Sequence, residues 1–286
     1  FALATVYLLS VRTVRKESDM KRITSARCIN CIPEVVPKKR SNNKKLKLLI
    51  TNKRIDWGFK QSILMIQSRL QQIMRRTGDK VLLITSTIPA EGKTMTSVNM
   101  ALAFAQEGMK VALLDGDLRK PSVSELMKLP EGPGLTEYFR GESTPEEIQV
   151  VKDGVTFFRA GQKKGKVSGL IDEEKMNSLL EKLRKEYDVI LMDAAPSYVF
   201  SDAMILSSYA DKVLYVVRVD KADAKEIRVG MNSFEEKEKL IGYVINRDTG
   251  GYISQSGYGY GRYGKYQKYR KYAELDEETM NTEDTL

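Results

Sequence analysis

Residues 85–94 have the composition and setting of a phosphate-binding loop. They read TSTIPAEGKT and lie between a run of apolar residues and a run with helical spacing. In this strand–loop–helix context a G-K-T sequence binds phosphate, because loop N–H groups and the helix N-terminus face the anion. Lys93 would reach the β- and γ-phosphates, and the Thr94 hydroxyl would bind Mg²⁺. The strict G-x-x-x-x-G-K-[ST] pattern is broken at its first position, where Thr87 stands.

Three aspartates follow apolar runs at points where strands would end. Asp115 and Asp117 follow the run that begins at Val111, and Asp193 follows the run that begins at Val189. The carboxyl ends of parallel strands form the ligand-binding edge of an α/β sheet, and buried carboxylates need cation partners. Each aspartate alone is compatible with a helix cap, but the three together with the G-K-T loop predict one shared site.

The elements that must position these residues alternate along the chain. Near-continuous apolar runs predict strands that are buried on both faces and therefore parallel, at 81–84, 111–114, 155–158, 189–192, 213–217 and 243–245. Helical spacing predicts helices over 57–73 and near 94–107, 172–186, 202–209 and 222–239. This alternation predicts a doubly wound, mostly parallel α/β sheet, and we place that domain at residues 56–250.

Composition and charge exclude several classes of function. The chain has 286 residues and no histidine, which excludes Ser-His-Asp and Cys-His catalysis and histidine-ligated metals. Cys28 and Cys31 form one C-x-x-C, and no second pair completes a zinc site. The net charge is +9, but residues 1–56 hold 14 Lys and Arg against 4 Asp and Glu. The basic charge belongs to an N-terminal arm, which argues against a nucleic-acid-binding fold.

The N-terminal arm has the pattern of a membrane anchor followed by a basic segment. Residues 1–11 are mostly apolar, and Arg12, Arg15 and Lys16 begin the basic stretch. This order fits the positive-inside rule, whereas a signal peptide carries its charges first. We expect residues 1–12 to end a truncated transmembrane helix and 13–55 to form a juxtamembrane linker. The alternative is a surface helix or a remnant of the expressed fragment.

The last 36 residues differ in composition from the rest of the chain. Residues 252–272 interleave tyrosine with Gly, Arg and Lys, and the chain is acidic from Glu274 onward. The tyrosines are Tyr252, Tyr258, Tyr260, Tyr263, Tyr266, Tyr269 and Tyr272. No apolar pattern predicts a core here, so residues 251–286 are expected to form a flexible tail. Gly/Tyr/Arg repeats of this kind also occur in RNA-binding tails.

Together these motifs resemble those of the bacterial tyrosine kinases of exopolysaccharide and capsule synthesis, which are relatives of the ParA/MinD-type ATPases. Residues 85–94 look like the Walker A motif of that family, Leu114–Pro121 is similar to its Walker A′ motif, and Asp193 looks like its Walker B acid. Residues 134–141 match its G-L-x-x-Y-x-x-G stretch, and Val244–Asn246 resembles the segment whose Asn reads adenine. The tyrosine cluster resembles the family's autophosphorylation tail.

The resemblance implies a P-loop NTPase fold and an ATP-dependent protein-tyrosine kinase that phosphorylates its own tail. ATP and Mg²⁺ are the implied cofactors. The implied partners are a second copy of the chain, a polysaccharide chain-length and export membrane module, and a cognate tyrosine phosphatase. The sequence CIP at Cys31–Pro33 is similar to the x-I-P motif that precedes such kinases in Wzz-type fusions. The implied location is the cytoplasmic face of the bacterial cell membrane.

The resemblance also implies a role for individual residues. The ATP-binding positions are Pro89, Ala90, Glu91, Gly92, Lys93, Thr94, Met95, Arg218 and Asn246. The catalytic positions are Lys93, Asp115 and Asp117, and the Mg²⁺ positions are Thr94, Asp115 and Asp193. We expect Asp115 to accept the phenol proton with the assistance of Asp117. The seven tail tyrosines are the implied phosphoacceptors.

Several departures from the family pattern keep other functions open. Ala90 stands where the family has Gly, and Ala194 and Ala195 replace the residues that follow the Walker B acid. The stretch 163–168 differs from the family's P-N-P-rich segment, and the oligomerisation motif expected near 57–63 keeps only Lys60 as a charge. A nucleotide-binding pseudokinase or adaptor is one alternative. A Par/Min-type positioning ATPase is another, although the tyrosine cluster argues against it.

Overall fold

An eight-stranded sheet forms the centre of the computed structural model, which describes residues 13–35, 47–162, 169–234 and 236–249. The strands are β1 Cys28–Pro33, β2 Val81–Ser86, β3 Val111–Asp115, β4 Gln149–Lys152, β5 Val155–Phe158, β6 Val189–Asp193, β7 Lys212–Arg218 and β8 Leu240–Asp248. Their order is β1-β8-β7-β2-β6-β3-β5-β4. All neighbours are parallel except β4 and β5.

Helices cover both faces of this sheet. They are α1 Glu17–Met20, α2 Trp57–Thr77, α3 Lys93–Gln106, α4 Val123–Met127, α5 Leu135–Arg140, α6 Glu173–Glu186, α7 Asp202–Tyr209 and α8 Ala224–Asn232, followed by a 3₁₀ turn at Lys237–Lys239. One apolar cluster packs α6, α7 and α8 on one face, and a second packs α2 and α3 on the other. Every residue of β2, β3 and β6 is buried, which explains their continuous apolar runs. The doubly wound, mostly parallel fold is confirmed.

Capping residues account for the helix boundaries. Asp56 accepts a hydrogen bond from the Gly58 N–H at 2.8 Å where α2 begins, and Gly78 ends that helix with φ of +74°. The helix predicted over 222–239 is shorter than expected, because α8 begins after its cap Asp223 and ends at Asn232. The prediction missed β4, because this antiparallel edge strand is only partly buried and contains Gln149 and Lys152.

The linker predicted over 13–55 is wrong for part of its described length. Cys28–Pro33 forms strand β1, which pairs in parallel with β8 at the edge of the sheet. Val14 and Met20 are fully buried, so the folded domain begins well before residue 56. The sequence predicted a linker here because the surrounding stretch is basic and the two end residues of the strand are only partly buried. The anchor expected at 1–12 and the tail expected at 251–286 lie outside the described residues. Within the described ranges, we find no helix that combines the length and the hydropathy of a bilayer-spanning segment.

Candidate nucleotide and phosphotransfer site

The loop between β2 and α3 has the backbone shape that the G-K-T sequence predicts. Gly92 precedes α3 with φ of +98°, a conformation that favours glycine. A Cβ at this position would clash with Nδ2 of Asn246, so a side chain there would displace the Asn246 amide. Ala90 also has a positive φ, +68°, although it carries a Cβ. Pro89 and Ala90 are exposed at the crest of the loop, and Met95 is half-buried in the first turn of α3.

Lys93 lies among the three predicted acids. Its Nζ is 2.6 Å from Oδ2 of Asp117 and 3.6 Å from Oδ2 of Asp193, and its side chain is only 10% exposed. Burial by itself lowers the pKa of Lys93, but the attraction of Asp193 and Asp117 outweighs it, so the pKa is raised. Lys93 is therefore a buried, fully charged ammonium at the carboxyl edge of the sheet.

Asp193 is held by the first two turns of α3. Its Oδ2 accepts a hydrogen bond from the Thr94 hydroxyl at 2.6 Å, and its Oδ1 accepts one from the Ser97 hydroxyl at 3.0 Å. Burial raises the pKa of Asp193, and the attraction of Lys93 and the Thr94 hydrogen bond only partly offset that effect. Ser97 was not predicted, although its position one turn after Lys93 on the same helix was a usable signal.

Asp115 is the least satisfied of the three acids. It is fully buried, and its Oδ2 accepts the Val123 N–H at 3.1 Å, but Oδ1 has no hydrogen-bond partner among the described residues. Burial, followed by repulsion from Asp193, raises its pKa well above the usual range. Asp117 differs, because its Oδ1 accepts the Lys120 N–H at 3.0 Å and its Oδ2 faces Lys93. The unpartnered oxygen of Asp115 is free to bind a cation or a proton.

The donor set fits Mg²⁺. Asp193 and the unpartnered oxygen of Asp115 supply hard oxygen ligands at paired strand ends, and Thr94 supplies a third from the first turn of α3. No cluster of three or more His, Cys, Asp or Glu in the described ranges is arranged to enclose a metal ion. Mg²⁺ is characteristically bound by one or two carboxylates together with phosphate oxygens and water, so a partial protein shell is what this ion requires.

The remaining predicted ATP-binding residues converge on the backbone of the loop. The buried Glu91 accepts hydrogen bonds from the Ile88 N–H at 2.8 Å and the Arg218 N–H at 3.2 Å. Nη1 of Arg218 donates to the Ala90 carbonyl at 3.1 Å, and Nδ2 of Asn246 donates to the Glu91 carbonyl at 2.7 Å. The structure therefore brings together every predicted ATP-binding residue, whereas the predicted phosphoacceptor tyrosines all lie outside the described residues.

Sequence reasoning missed a cation–aromatic group beside the acids. Arg119, two residues after Asp117, forms an ion pair with Asp202, and its guanidinium lies 4.5 Å from the centre of the Phe200 ring. This pair connects the loop after β3 to the start of α7. Arg119 belongs to the Walker A′-like stretch, but its pairing with Asp202 was not predicted, because residues 83 positions apart share no local pattern.

The strand–loop–helix with its buried lysine, on a mostly parallel sheet, defines the chain as a P-loop NTPase. Residues 78–224, about half of the chain, match the ParA family model, described as NUBPL iron-transfer P-loop NTPase. The tyrosine-protein kinase CpsD of Streptococcus pneumoniae is 34% identical over 184 residues, which cover 60% of this chain and 78% of that protein. Within the ParA-like P-loop NTPases, the chain belongs to the bacterial tyrosine kinases.

Two further comparisons show how far the similarity extends. The kinase domain of the Escherichia coli tyrosine kinase ETK superposes with a TM-score of 0.70 at 26% identity, over 77% of this chain and 90% of that chain. The tyrosine-protein kinase ptk of Acinetobacter johnsonii is 27% identical over 198 residues, which cover 67% of this chain. The match covers only 27% of that relative, so the chain corresponds to about a quarter of its length.

Proposed function

We propose that this chain is an ATP-dependent protein-tyrosine kinase that phosphorylates its own C-terminal tyrosine cluster and regulates capsular or exopolysaccharide synthesis and export. The observation that carries the proposal is the contact of Lys93 with Asp117 and Asp193 at the base of a phosphate-binding loop. The names of the relatives as tyrosine-protein kinases support the same reaction. The tyrosine-rich stretch 252–272 supplies acceptors in the same chain.

The chain's own residues can perform the protein's part of this reaction. Bound Mg-ATP would supply the phosphoryl group and partial neutralisation of its charge, with Thr94, Asp193 and Asp115 as the candidate Mg²⁺ ligands. Lys93 and the loop N–H groups stabilise negative charge at the phosphates. A tyrosine phenol has a pKa near 10, so it needs a base as it attacks. Asp115 keeps an unpartnered side-chain oxygen at this site, and we assign it as the acceptor of that proton.

The same proposal includes a location and partners. The basic arm and the apolar residues that precede it support attachment at the cytoplasmic face of the bacterial membrane. A chain-length and export membrane module is the proposed regulatory partner, a second copy supplies or receives the tyrosine tail, and a tyrosine phosphatase reverses the modification. Phosphates on several tyrosines of residues 252–272 would reverse the positive charge of that stretch.

The decisive experiment incubates the full chain with Mg-ATP and maps phosphotyrosine by mass spectrometry. We expect phosphate on several of Tyr252–Tyr272 and its loss in Lys93→Met, because the buried ammonium is the main positive charge at the loop. Lys185→Met is the matched control, since that lysine is exposed on α6. ATP bound or hydrolysed without phosphotyrosine would contradict the kinase and favour the adaptor or the positioning ATPase.

A further inference from the structure

Three side chains hold the phosphate-binding loop, and we name them the loop clasp: Glu91 of the loop itself, Arg218 of β7 and Asn246 of β8. Glu91 is fully buried, and its carboxylate accepts backbone N–H groups from both the loop and β7. The Arg218 guanidinium and the Asn246 amide each donate to a loop carbonyl, those of Ala90 and Glu91. Four hydrogen bonds of the clasp therefore end on backbone groups of the loop or of the adjoining strand.

The clasp is anchored on the rigid part of the fold. Arg218 ends β7, and it lies opposite Asn246 of β8 in the parallel register of these strands. β7 also pairs with β2, the strand that leads into the loop. The loop is consequently fixed at its strand end, at its helix end, and along its crest by two strands that are distant in sequence.

The clasp holds an unfavourable backbone conformation. Ala90 has φ of +68°, a region that an L-residue other than glycine occupies at a cost of roughly 1–2 kcal/mol. The Ala90 carbonyl is the group that Arg218 binds, and the next carbonyl is the one that Asn246 binds. Residues with strained backbones persist only where several surrounding contacts hold their conformation, and they concentrate at ligand-binding sites.

We infer that Glu91, Arg218 and Asn246 are positioning residues that keep Ala90 left-handed, so that the loop N–H groups face phosphate before nucleotide arrives. The inference rests on the proposed function in so far as the loop binds ATP. Arg218 and Glu91 therefore affect nucleotide affinity through the loop backbone, and neither side chain has to contact the nucleotide. The positive φ of Ala90, a residue that carries a Cβ, makes the clasp necessary.

A double-mutant cycle between positions 90 and 218 tests this dependence through Mg-ADP binding, measured by calorimetry. With Ala90 present, Arg218→Ala should weaken binding by roughly fivefold or more, because the strained backbone relaxes out of the binding conformation. With Ala90→Gly, the same Arg218→Ala change should cost less than about twofold, because glycine adopts this φ without strain. An equal loss in both backgrounds, or no loss in either, would overturn the inference.

Hydrogen exchange in the absence of nucleotide provides a readout that a direct nucleotide contact would not change. The amides of Ile88 and Arg218 both donate to the Glu91 carboxylate. A glutamine offers one acceptor oxygen in place of two, so Glu91→Gln should speed exchange at one or both amides by about tenfold. Glu107→Gln, at an exposed position after α3, is the control and should leave both rates unchanged. Unchanged exchange in Glu91→Gln would refute the clasp.

These outcomes are separable from those of the kinase assay. A chain that shows the predicted coupling between Ala90 and Arg218 but makes no phosphotyrosine would refute the kinase and leave the positioning role intact. A chain that phosphorylates its tyrosines but shows equal losses in both backgrounds would refute the positioning role alone.

Discussion

The two ends of the central strands carry carboxylates in opposite situations. At the amino end, Asp211 accepts the Lys80 and Val81 N–H groups, each at 2.8 Å, and a bidentate pair from Arg184 at 2.9 and 2.6 Å. Burial by itself raises the pKa of Asp211, but the Arg184 and backbone hydrogen bonds outweigh it, and the pKa is lowered. At the carboxyl end, burial raises the pKa of Asp115 and Asp193.

The difference separates a stabilising group from a reactive one. The amino-end carboxylate has its hydrogen-bonding capacity filled by the protein, so it ties α6 to the starts of β2 and β7. The carboxyl-end acids share one ammonium, Lys93, and Asp115 keeps an unpartnered oxygen. A buried carboxylate without a full set of donors is unstable by itself, and this is the condition in which it binds a cation or a proton most readily.

The largest expected effect comes from removing the charge of Asp115. Asp115→Asn should reduce the rate of phosphotyrosine formation by about a hundredfold or more, the usual contribution of a general base. The free energy of unfolding should stay equal or rise, because an amide avoids the burial cost and the repulsion from Asp193 that raise the pKa of Asp115. Quantitative phosphotyrosine labelling and denaturant unfolding measure the two effects. Asp153→Asn, at an exposed turn, is the control. A loss of stability together with activity in Asp115→Asn would contradict the difference between the two ends of the strands.

The next effect is a dependence of stability on pH. Burial raises the pKa of Glu91 from 4.5 to about 7, although the Ile88 and Arg218 amides oppose the shift. The folded chain therefore binds this proton more tightly than the unfolded chain, and the contribution of Glu91 to stability falls by about 3 kcal/mol as pH rises from about 4.5 to about 7. Urea unfolding across this pH range should show a smaller fall in the free energy of unfolding for Glu91→Gln than for the unsubstituted chain. An equal fall in both would refute the assignment of this titration to Glu91.

The smallest expected effect concerns the amino end. Asp211→Asn should lower the free energy of unfolding by about 2 kcal/mol, because one of its charged hydrogen-bond pairs is lost while the backbone donors remain. Because the pKa of Asp211 is lowered in the folded chain, its contribution to the free energy of unfolding is present above the unfolded-state pKa of about 4. That contribution is lost as pH falls below this value.

An exposed ion pair provides the matched control for Asp211→Asn. Asp220 pairs with Arg15, and their side chains are 59% and 74% exposed, so Asp220→Asn should change stability by about 0.5 kcal/mol or less. Nucleotide binding should be unchanged in both variants. Weaker Mg-ADP binding in Asp211→Asn would contradict a purely stabilising role for the amino end.

Local sequence was sufficient for every described parallel strand except β1, and for the loop after β2. The run Val81–Ile84 is apolar because both faces of β2 are buried, and the observed strand extends it by only two residues to Ser86. The G-K-T sequence located the loop because both the positive φ of Gly92 and the nearby Asn246 amide favour glycine at that position. Such features depend on residues adjacent in the chain, and they leave a pattern that can be recognised without a structure.

The membership of β1 in the sheet was decided by tertiary structure. Its six residues lie in a basic stretch, and only pairing with β8, more than 200 positions away, makes them a strand. Edge strands that are partly exposed have weak periodicity, so composition alone predicted a linker there. The same applies to β4, whose neighbour β5 is its only partner among the described strands.

The sequence by itself determined the class of fold, and it singled out Lys93 and the three aspartates as a candidate site, because these follow from strand burial and from motifs at strand ends. Only the tertiary structure decided which acid keeps an unpartnered oxygen, and which side chains hold the loop. Thr94 and Asp193 are 99 positions apart, Glu91 and Arg218 are 127 apart, and Glu91 and Asn246 are 155 apart. Hydrogen bonds across such separations depend on the packed geometry of the sheet, which local periodicity does not encode.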